Sequence, residues 1–259
     1  MDLFLQTIRS LQSEEIPPDM GWLTDAQPLA LKLFQHLGSL FHLARETIVP
    51  LGRINISYID HASITVLARS AFETYLAFYY IFVAPPTVQE KLFRYKLWQL
   101  GGLLDRQRFS AFSDMAKGKA HLEKEMVDCL QEEIQAGPFY KQLDCEDQKK
   151  ARQGKWRFNK SWTDLAKIAG FDRVYFEVVY CYLCSYAHTS YLSIVQIGQA
   201  DSKETQGSLA ETWLGLGLGL MSHFIFALVS IYPKAHIVLS NFPDALRTAS
   251  IWNDIGRGI

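Results

Sequence analysis

The sequence lacks the short motifs that mark several large enzyme classes. It has no GxxxxGK[ST] phosphate-binding loop, no HExxH zinc motif and no GxSxG nucleophile motif. It also lacks the Glu-x-x-His pair that builds a di-iron site in a four-helix bundle. We therefore expect no metal and no cofactor, and any chemistry must come from the side chains alone.

The chain also has little net charge and little cysteine. A formal net charge of −1 gives no global attraction for nucleic acid, so any electrostatic binding must be local. Four cysteines and no recognisable leader segment predict a cytoplasmic protein. Cys181 and Cys184 form a CxxC, but zinc sites of this type need a second pair. We expect both to be packing residues on a buried helix.

Strand signals are nearly absent, whereas apolar residues recur at helical spacing almost throughout. The sequence predicts an all-α fold: a single-domain helical bundle over 1–259. Peripheral amphipathic helices should fill an insertion at 87–170. The bundle core should consist of four long helices, ended in several places by proline, at about 24–49, 60–83, 172–199 and 209–232.

Residues 212–233 carry no formal charge and have the length of a membrane span. The central helix of a soluble bundle is equally hydrophobic, because other helices surround it. The remaining long apolar segments contain Arg69, Glu73 and Glu177, which are costly in lipid. We therefore expect no membrane contact and keep a membrane-associated helical protein as a lesser alternative.

Arg69 and Glu73 are the only formally charged residues between Ala62 and Val83. Because they lie four residues apart, they share one face of the predicted helix. Opposite charges on a buried face need partners. They form either a structural ion pair or part of an active site, since both use such pairs.

The segment at 178–197 contains no acidic, Lys or Arg side chain but includes Ser185 and His188. On a helical projection His188 shares a stripe with Glu177, Cys181 and Cys184, and Tyr180 lies at its edge. Ser185 lies about 100° away from His188, so a Ser-His nucleophile pair on this helix is poorly aligned. His188 is either a satisfied core residue or a functional group that Arg69 and Glu73 satisfy.

The run KKARQGKWRFNK, residues 149–160, mixes basic and aromatic side chains and has no acidic one. Lys and Arg neutralise phosphates and aromatic rings stack on unpaired bases, so the run fits single-stranded RNA or DNA. The alternative is a solvated connector whose aromatic rings dock onto the core. The candidate binding residues are Lys149, Lys150, Arg152, Lys155, Trp156, Arg157 and Lys160.

Arg-x-x-x-Glu on one apolar helix, a basic stretch with a tryptophan, "SWTDLAKIAG" and "YLCSYAHTS" together resemble an uncharacterised bacterial all-helical family, domain of unknown function 5677. The resemblance covers roughly residues 30–230. It implies that Arg69, Glu73, Ser185 and His188 match the polar motifs of the family. It implies no established activity.

The sequence is also similar to HEPN-type helical bundles, many of which are RNases of toxin or antiphage systems. Those proteins carry an Arg and a His four to six residues apart on one helix. Here no Arg precedes a His at that spacing, so Arg69 would have to supply the guanidinium from another helix.

These patterns lead to one functional hypothesis and one alternative. The hypothesis is an HEPN-like protein that binds or cleaves RNA without a metal in a bacterial stress or defence system. His188 would act as general acid and base, Arg69 would stabilise phosphate charge, and Glu73 would orient one of them. The alternative is a non-enzymatic interaction or sensor module with a structural polar network, whose partner is a protein or a second copy.

Overall fold

The computed structural model describes residues 1–11, 16, 20–232 and 235–256. Contacts divide the chain into two compact units, unit 1 (Met1–Tyr79 and Trp162–Ile259) and unit 2 (Tyr80–Ser161). The expectation of a single domain stays a prediction, because this division does not decide whether the units fold independently.

The fold is all-α, as predicted, and the described residues add one small two-stranded sheet. In unit 1 the elements are α1 (Asp2–Leu11), α2 (Leu23–Leu43), β1 (Thr47–Leu51), β2 (Ile54–Tyr58), α3 (His61–Phe78), α8 (Trp162–Ile168), α9 (Arg173–Ala187), α10 (Tyr191–Gln199), α11 (Lys203–Ile231), α12 (His236–Ser240) and α13 (Pro243–Gly256). In unit 2 they are α4 (Val88–Arg106), α5 (Asp114–Ala136), α6 (Pro138–Lys141) and α7 (Cys145–Arg152). A π-helical turn, Tyr79–Val83, follows α3 directly.

The helix predicted at 24–49 is shorter, because the chain forms an antiparallel hairpin after α2. Thr47 pairs with Tyr58 and Val49 with Ile56. Gly52, with φ of 62°, starts the two-residue turn between the strands. The β-branched residues of both strands favour this conformation. Pro50 does not end a helix but lies within β1.

The core of unit 1 forms where α2, α3 and α11 pack together. Leu37, Phe72 and Phe224 are fully buried there. The predicted helix at 60–83 is confirmed as α3 with its π-helical turn. Asp60 caps α3, since its side chain accepts a hydrogen bond from the backbone N–H of Ser63 at 3.0 Å.

The helix predicted at 209–232 is confirmed, and it starts earlier, as α11. By length and composition, α11 is long enough and apolar enough to cross a membrane, and it is one such helix among the described residues. Half of its apolar stretch is buried inside the structure. At Gly217, an added Cβ would lie 3.5 Å from a methyl of Leu37, so α11 and α2 approach closely.

Unit 2 has its own apolar cluster between α4, α5, α6 and α7, built on Phe93, Leu97 and Leu100. The chain closes against α4 at Gly154, which has a φ of 67°. A Cβ on Gly154 would lie 2.7 Å from the Cα of Gly101. Both glycines are therefore required by close backbone approach.

Candidate functional site

The site begins on α3, where Arg69 and Glu73 form an ion pair. Their spacing of four residues places both side chains on one face, and Arg69 Nε donates to Glu73 Oε1 at 2.9 Å. The side chains are 20% and 27% exposed. The expectation of a buried charged face is therefore wrong, since solvent reaches both groups.

Helix α9 packs against α3, and the remaining two side chains come from α9 and from the residue that follows its last turn. The hydroxyl of Tyr180 donates to Glu73 Oε1 at 2.6 Å. Arg69 Nη1 lies 3.1 Å from Nε2 of His188. We call Arg69, Glu73, Tyr180 and His188 the polar cluster. His188 therefore meets Arg69, and its link to Glu73 runs through Arg69. The functional roles of these residues stay a prediction.

His188 is exposed and lies in a turn, not in the middle of a helix. The continuous helix predicted at 172–199 is broken there into α9 and α10. The backbone N–H of Ser190 donates to the carbonyl of Ser185 at 2.9 Å, and Thr189 adopts a left-handed φ of 52°. This is the glycine-type end of a helix, formed here without glycine.

The turn also gives Ser185 a structural explanation. Its hydroxyl donates to the carbonyl of Tyr182 at 2.7 Å, and its own carbonyl accepts from Ser190. Ser185 therefore helps to end α9.

Thr189 holds a conformation that β-branched residues rarely adopt. A left-handed φ costs an L residue roughly 1–2 kcal/mol. Such strain persists only where the surrounding structure holds it, and it is common beside functional sites. The turn places the backbone of His188 where its imidazole reaches Arg69.

The polar cluster keeps Tyr180 protonated. Burial raises the pKa of Tyr180, and the hydrogen bond to the Glu73 carboxylate together with its charge raises that pKa further. The nearby Arg69 guanidinium has the opposite but smaller effect. Tyr180 is thus a stable hydrogen-bond donor that holds Glu73 in place.

Arg69 remains a cation in this environment. Partial burial by itself lowers the pKa of Arg69, but hydrogen bonding to Tyr180 and the charge of Glu73 outweigh burial and raise it. The Arg69 Cζ atom also lies 5.6 Å from the centre of the Tyr180 ring, within cation–π range. Arg69 therefore presents a permanent positive charge at a solvent-accessible site.

The contact between Arg69 and His188 fixes the protonation pattern of the imidazole. A guanidinium can only donate hydrogen bonds, so Nε2 of His188 must accept. This contact requires the ring tautomer whose proton is on Nδ1. The lone pair of Nε2 is occupied by Arg69 and can accept a proton from a bound group only after that hydrogen bond is released.

Tyr180 is the member of the polar cluster that sequence reasoning did not assign to the site. Its signal was its position at the edge of the helical stripe that contains His188. Glu177, the acidic residue predicted on that stripe, instead pairs with Arg173, with 2.9 Å between Arg173 Nε and Glu177 Oε1. The projection alone does not say which polar residue faces α3.

The predicted strand-binding run, 149–160, lies in unit 2, where α7 and the loop after it carry it. The rings of Trp156 and Phe158 are partly buried against the apolar cluster of unit 2. Trp156 lies 6.1 Å from Tyr80 between ring centres. These contacts match the alternative in which the aromatic rings dock onto the core.

The charges of the run are divided between ion pairs and solvent. Lys150 Nζ lies 2.9 Å from carboxylate oxygens of both Glu146 and Asp147. Arg157 Nη1 donates to the carbonyl of Lys160 at 3.2 Å. The exposed basic residues of the run are Lys149, Arg152 and Lys155.

The cysteines differ from the prediction. Cys181 is exposed and Cys184 is half-buried, so the expectation that both are buried packing residues is wrong for Cys181. Within the part of the chain that the structure describes, no group of three or more His, Cys, Asp or Glu side chains could hold a metal ion. The expectation of a metal-free site stays a prediction.

A family model matches residues 31–205, and its description is a family of unknown function (DUF5677). The chain belongs to this family. The match includes all four residues of the polar cluster and the turn at 188–190, so the DUF5677 region contains the complete site. No curated protein and no solved structure matches the chain.

Proposed function

We propose that this DUF5677 protein binds single-stranded RNA at the polar cluster and cleaves it by a metal-independent transfer reaction in the cytoplasm. The observation that carries the proposal is the 3.1 Å approach of Arg69 Nη1 to His188 Nε2 at a solvent-accessible position. A permanent cation beside a neutral imidazole is the minimum set that phosphodiester chemistry by side chains needs.

Arg69 would bind the phosphate. Its guanidinium forms planar, paired hydrogen bonds with phosphate oxygens, which a lysine cannot reproduce. When a phosphate draws Arg69 Nη1 toward itself, His188 Nε2 loses its donor and its lone pair becomes free. Substrate binding thus activates the base.

His188 would then act first as a base and afterwards as an acid, using the same proton. It takes the proton of the ribose 2′-hydroxyl, and the 2′ oxygen forms a bond to phosphorus. The bond from phosphorus to the 5′ oxygen breaks, and the imidazole returns the proton to that oxygen. The products are a 2′,3′-cyclic phosphate and a 5′-hydroxyl, and Arg69 stabilises the negative charge that develops on phosphate.

Glu73 and Tyr180 would position the cation. Glu73 holds Arg69 Nε at 2.9 Å, and Tyr180 holds the same Glu73 oxygen at 2.6 Å. Neither group needs to touch the substrate. HEPN-type bundles use an Arg and a His on one helix, whereas here Arg69 lies on α3 and His188 lies in the turn after α9.

The basic run would supply attraction for the strand through exposed charges. Lys149, Arg152 and Lys155 can neutralise phosphates, and this term does not depend on sequence. Base stacking on Trp156 is less favoured, because its ring already packs against the core of unit 2. RNA binding by this run should therefore depend on salt and show little base preference.

The experiment is cleavage of a labelled single-stranded RNA in the presence of a chelator. The matched substrate is DNA of the same sequence, which lacks the 2′-hydroxyl. We expect RNA to yield cyclic phosphate ends and DNA to remain intact. His188→Ala should lower the rate by about 10²–10⁴-fold.

His121→Ala is the control variant, since this histidine is exposed on α5, outside the polar cluster. It should cleave like the wild type, and circular dichroism should show both variants folded. Equal cleavage of DNA would exclude the 2′-hydroxyl as the nucleophile, and full activity in His188→Ala would remove His188 from the reaction.

A second candidate function is a binding module in which the polar cluster is structural. The observation in its favour is that Glu73 Oε1 accepts from both Arg69 and Tyr180, so three polar groups satisfy one another without a ligand. This candidate predicts that His188→Ala lowers the melting temperature and that RNA does not bind in a salt-dependent way.

A further inference from the structure

Helices α9 and α10, which contact each other, both expose apolar side chains that nothing in the described chain covers. Val174 and Val178 on α9, together with Tyr191, Leu192, Ile194 and Ile197 on α10, are between 45% and 82% exposed. No Asp, Glu, Lys or Arg occurs from 178 to 200. Soluble helices normally place charged residues on their outer face, so this surface departs from the rule.

The exposed residues of α9 have the spacing of a helix-packing seam. Val174, Val178, Cys181 and Ser185 follow one another at intervals of four, three and four residues. This is the heptad pattern by which one helix packs against another at a shallow crossing angle. Cys181 is exposed and Ser185 is half-buried, so the seam lies open along the helix.

The size of the surface suits a stable dimer. The six exposed side chains present on the order of 600 Å² of apolar area, at the upper limit for patches on monomers. A standard interface covers about 800 Å² on each partner, and homodimer interfaces are about 65% apolar. The apolar area and its polar surroundings therefore match one half of such an interface.

The absence of charge on this surface indicates which partner packs on it. In a two-fold dimer the same patch faces itself, so any charge near the axis meets its own copy and repels it. This surface avoids that cost, and Arg173 and Glu177 at its edge neutralise each other within one helix. A lipid-binding face would instead carry a rim of Lys and Arg, which α10 lacks.

We propose that the α9–α10 face is a homodimer interface, with a second copy of this chain packed on the α9 seam across a two-fold axis. The inference is independent of the proposed RNA chemistry, because it rests on exposure and charge rather than on the polar cluster. His188 lies in the turn between the two helices, so the interface adjoins the candidate site.

The test is the mass of the full-length protein in solution across the micromolar range, by sedimentation or light scattering. We expect a dimer for the wild type and a monomer for Val178→Glu, because the substitution places two like charges near the axis. Ile237→Glu is the control, since Ile237 is 67% exposed on α12 and lies outside the face. It should remain a dimer.

Cross-linking tests the same surface in a different way. In a variant with Cys129 and Cys145 replaced by serine, a short bis-maleimide should join two copies through Cys181, and added Cys181→Ser should abolish the product. A monomeric wild type with no Cys181 product overturns the proposal. So does a dimer that survives Val178→Glu, or a monomer that binds vesicles of neutral lipid through this face.

Discussion

The polar cluster of unit 1 and the basic run of unit 2 both looked functional in the sequence, but the structure treats them differently. The polar cluster joins two pairs, Arg69 with Glu73 and Tyr180 with His188, that lie more than 100 residues apart in sequence and meet within hydrogen-bond distance. The residues of the run are neighbours in sequence, yet they separate into core rings, ion pairs and exposed charges. Convergence of distant residues is the stronger sign of a site.

The difference also concerns where water reaches each group. Arg69 and His188 keep polar atoms accessible on unit 1, whereas Trp156 and Phe158 direct their rings into the apolar cluster of unit 2. A motif of adjacent residues shows only which side chains are present. The packing of the chain decides which of their atoms face solvent and can contact a ligand. The following substitutions test that contrast.

The largest effect is expected at Arg69. Arg69→Lys keeps the charge but loses the planar fork that contacts Glu73 and His188, so RNA cleavage should fall by about 100-fold. Arg173→Lys is the matched control, because Arg173 forms an ion pair of the same spacing with Glu177 on an exposed surface. Equal activity of both variants would show that the cluster geometry is irrelevant.

The next effect is expected in unit 2. Trp156→Ala removes a partly buried ring from the apolar cluster and should lower the free energy of unfolding by about 2 kcal/mol, less than a fully buried tryptophan would. Chemical denaturation measures this change. Lys155→Ala should change the free energy of unfolding by no more than about 0.5 kcal/mol. It should also lower the number of counterions released on RNA binding, measured from the salt dependence of the affinity, by about one.

If Trp156→Ala instead leaves stability unchanged and weakens RNA binding, the ring stacks on bases and the contrast between the two regions is wrong.

A smaller effect is expected at Tyr180. Tyr180→Phe removes the hydrogen bond to Glu73 and should destabilise the protein by about 1 kcal/mol near neutral pH. Because folding raises the pKa of Tyr180, the folded state binds this proton more tightly than the unfolded state. The stabilisation is therefore present below about pH 10 and is lost as pH rises through the pKa of the folded state.

Denaturation of the wild type and Tyr180→Phe from neutral to alkaline pH measures this dependence. The difference between their free energies of unfolding should narrow above about pH 10. Tyr191→Phe, at an exposed tyrosine of α10, should show no such change. A gap that is constant with pH would mean that Glu73 does not accept from Tyr180.

The smallest effect is expected at Thr189. Glycine adopts a left-handed φ without strain but loses more backbone entropy on folding. Thr189→Gly should therefore stabilise the protein by no more than about 1 kcal/mol. Ala187→Gly, two residues earlier at the end of α9, should instead destabilise it by up to about 1 kcal/mol. Thermal melts compare the stability of the two variants. A clearly lower melting temperature for Thr189→Gly would show that Thr189 is not strained in this turn.

Much of the fold could be predicted from periodicity. The apolar runs at 60–83 and 209–232 specify α3 and α11, because helical spacing and proline ends agree there. The hairpin at 47–58 was missed, since its strands are short and Pro50 imitates a helix end. The turn at 188–190 was missed for another reason: Thr189 adopts a conformation that its residue type disfavours.

The candidate site was predicted in part. The spacing of Arg69 and Glu73 placed them on one face, and an isolated histidine on an apolar segment singled out His188. Tyr180 could not be assigned, because only the packing of α9 on α3 decides which hydroxyl reaches Glu73. Local patterns predict faces of helices, whereas the meeting of faces depends on the tertiary structure.

A double-mutant cycle shows whether Arg69 and His188 act as one unit on RNA. Cleavage rates of Arg69→Ala, His188→Ala and the double variant are compared with the wild type under single-turnover conditions. We expect each single variant to lose most of the activity and the double variant to lose little more. Independent losses that add in free energy, or wild-type rates in the single variants, would contradict this expectation.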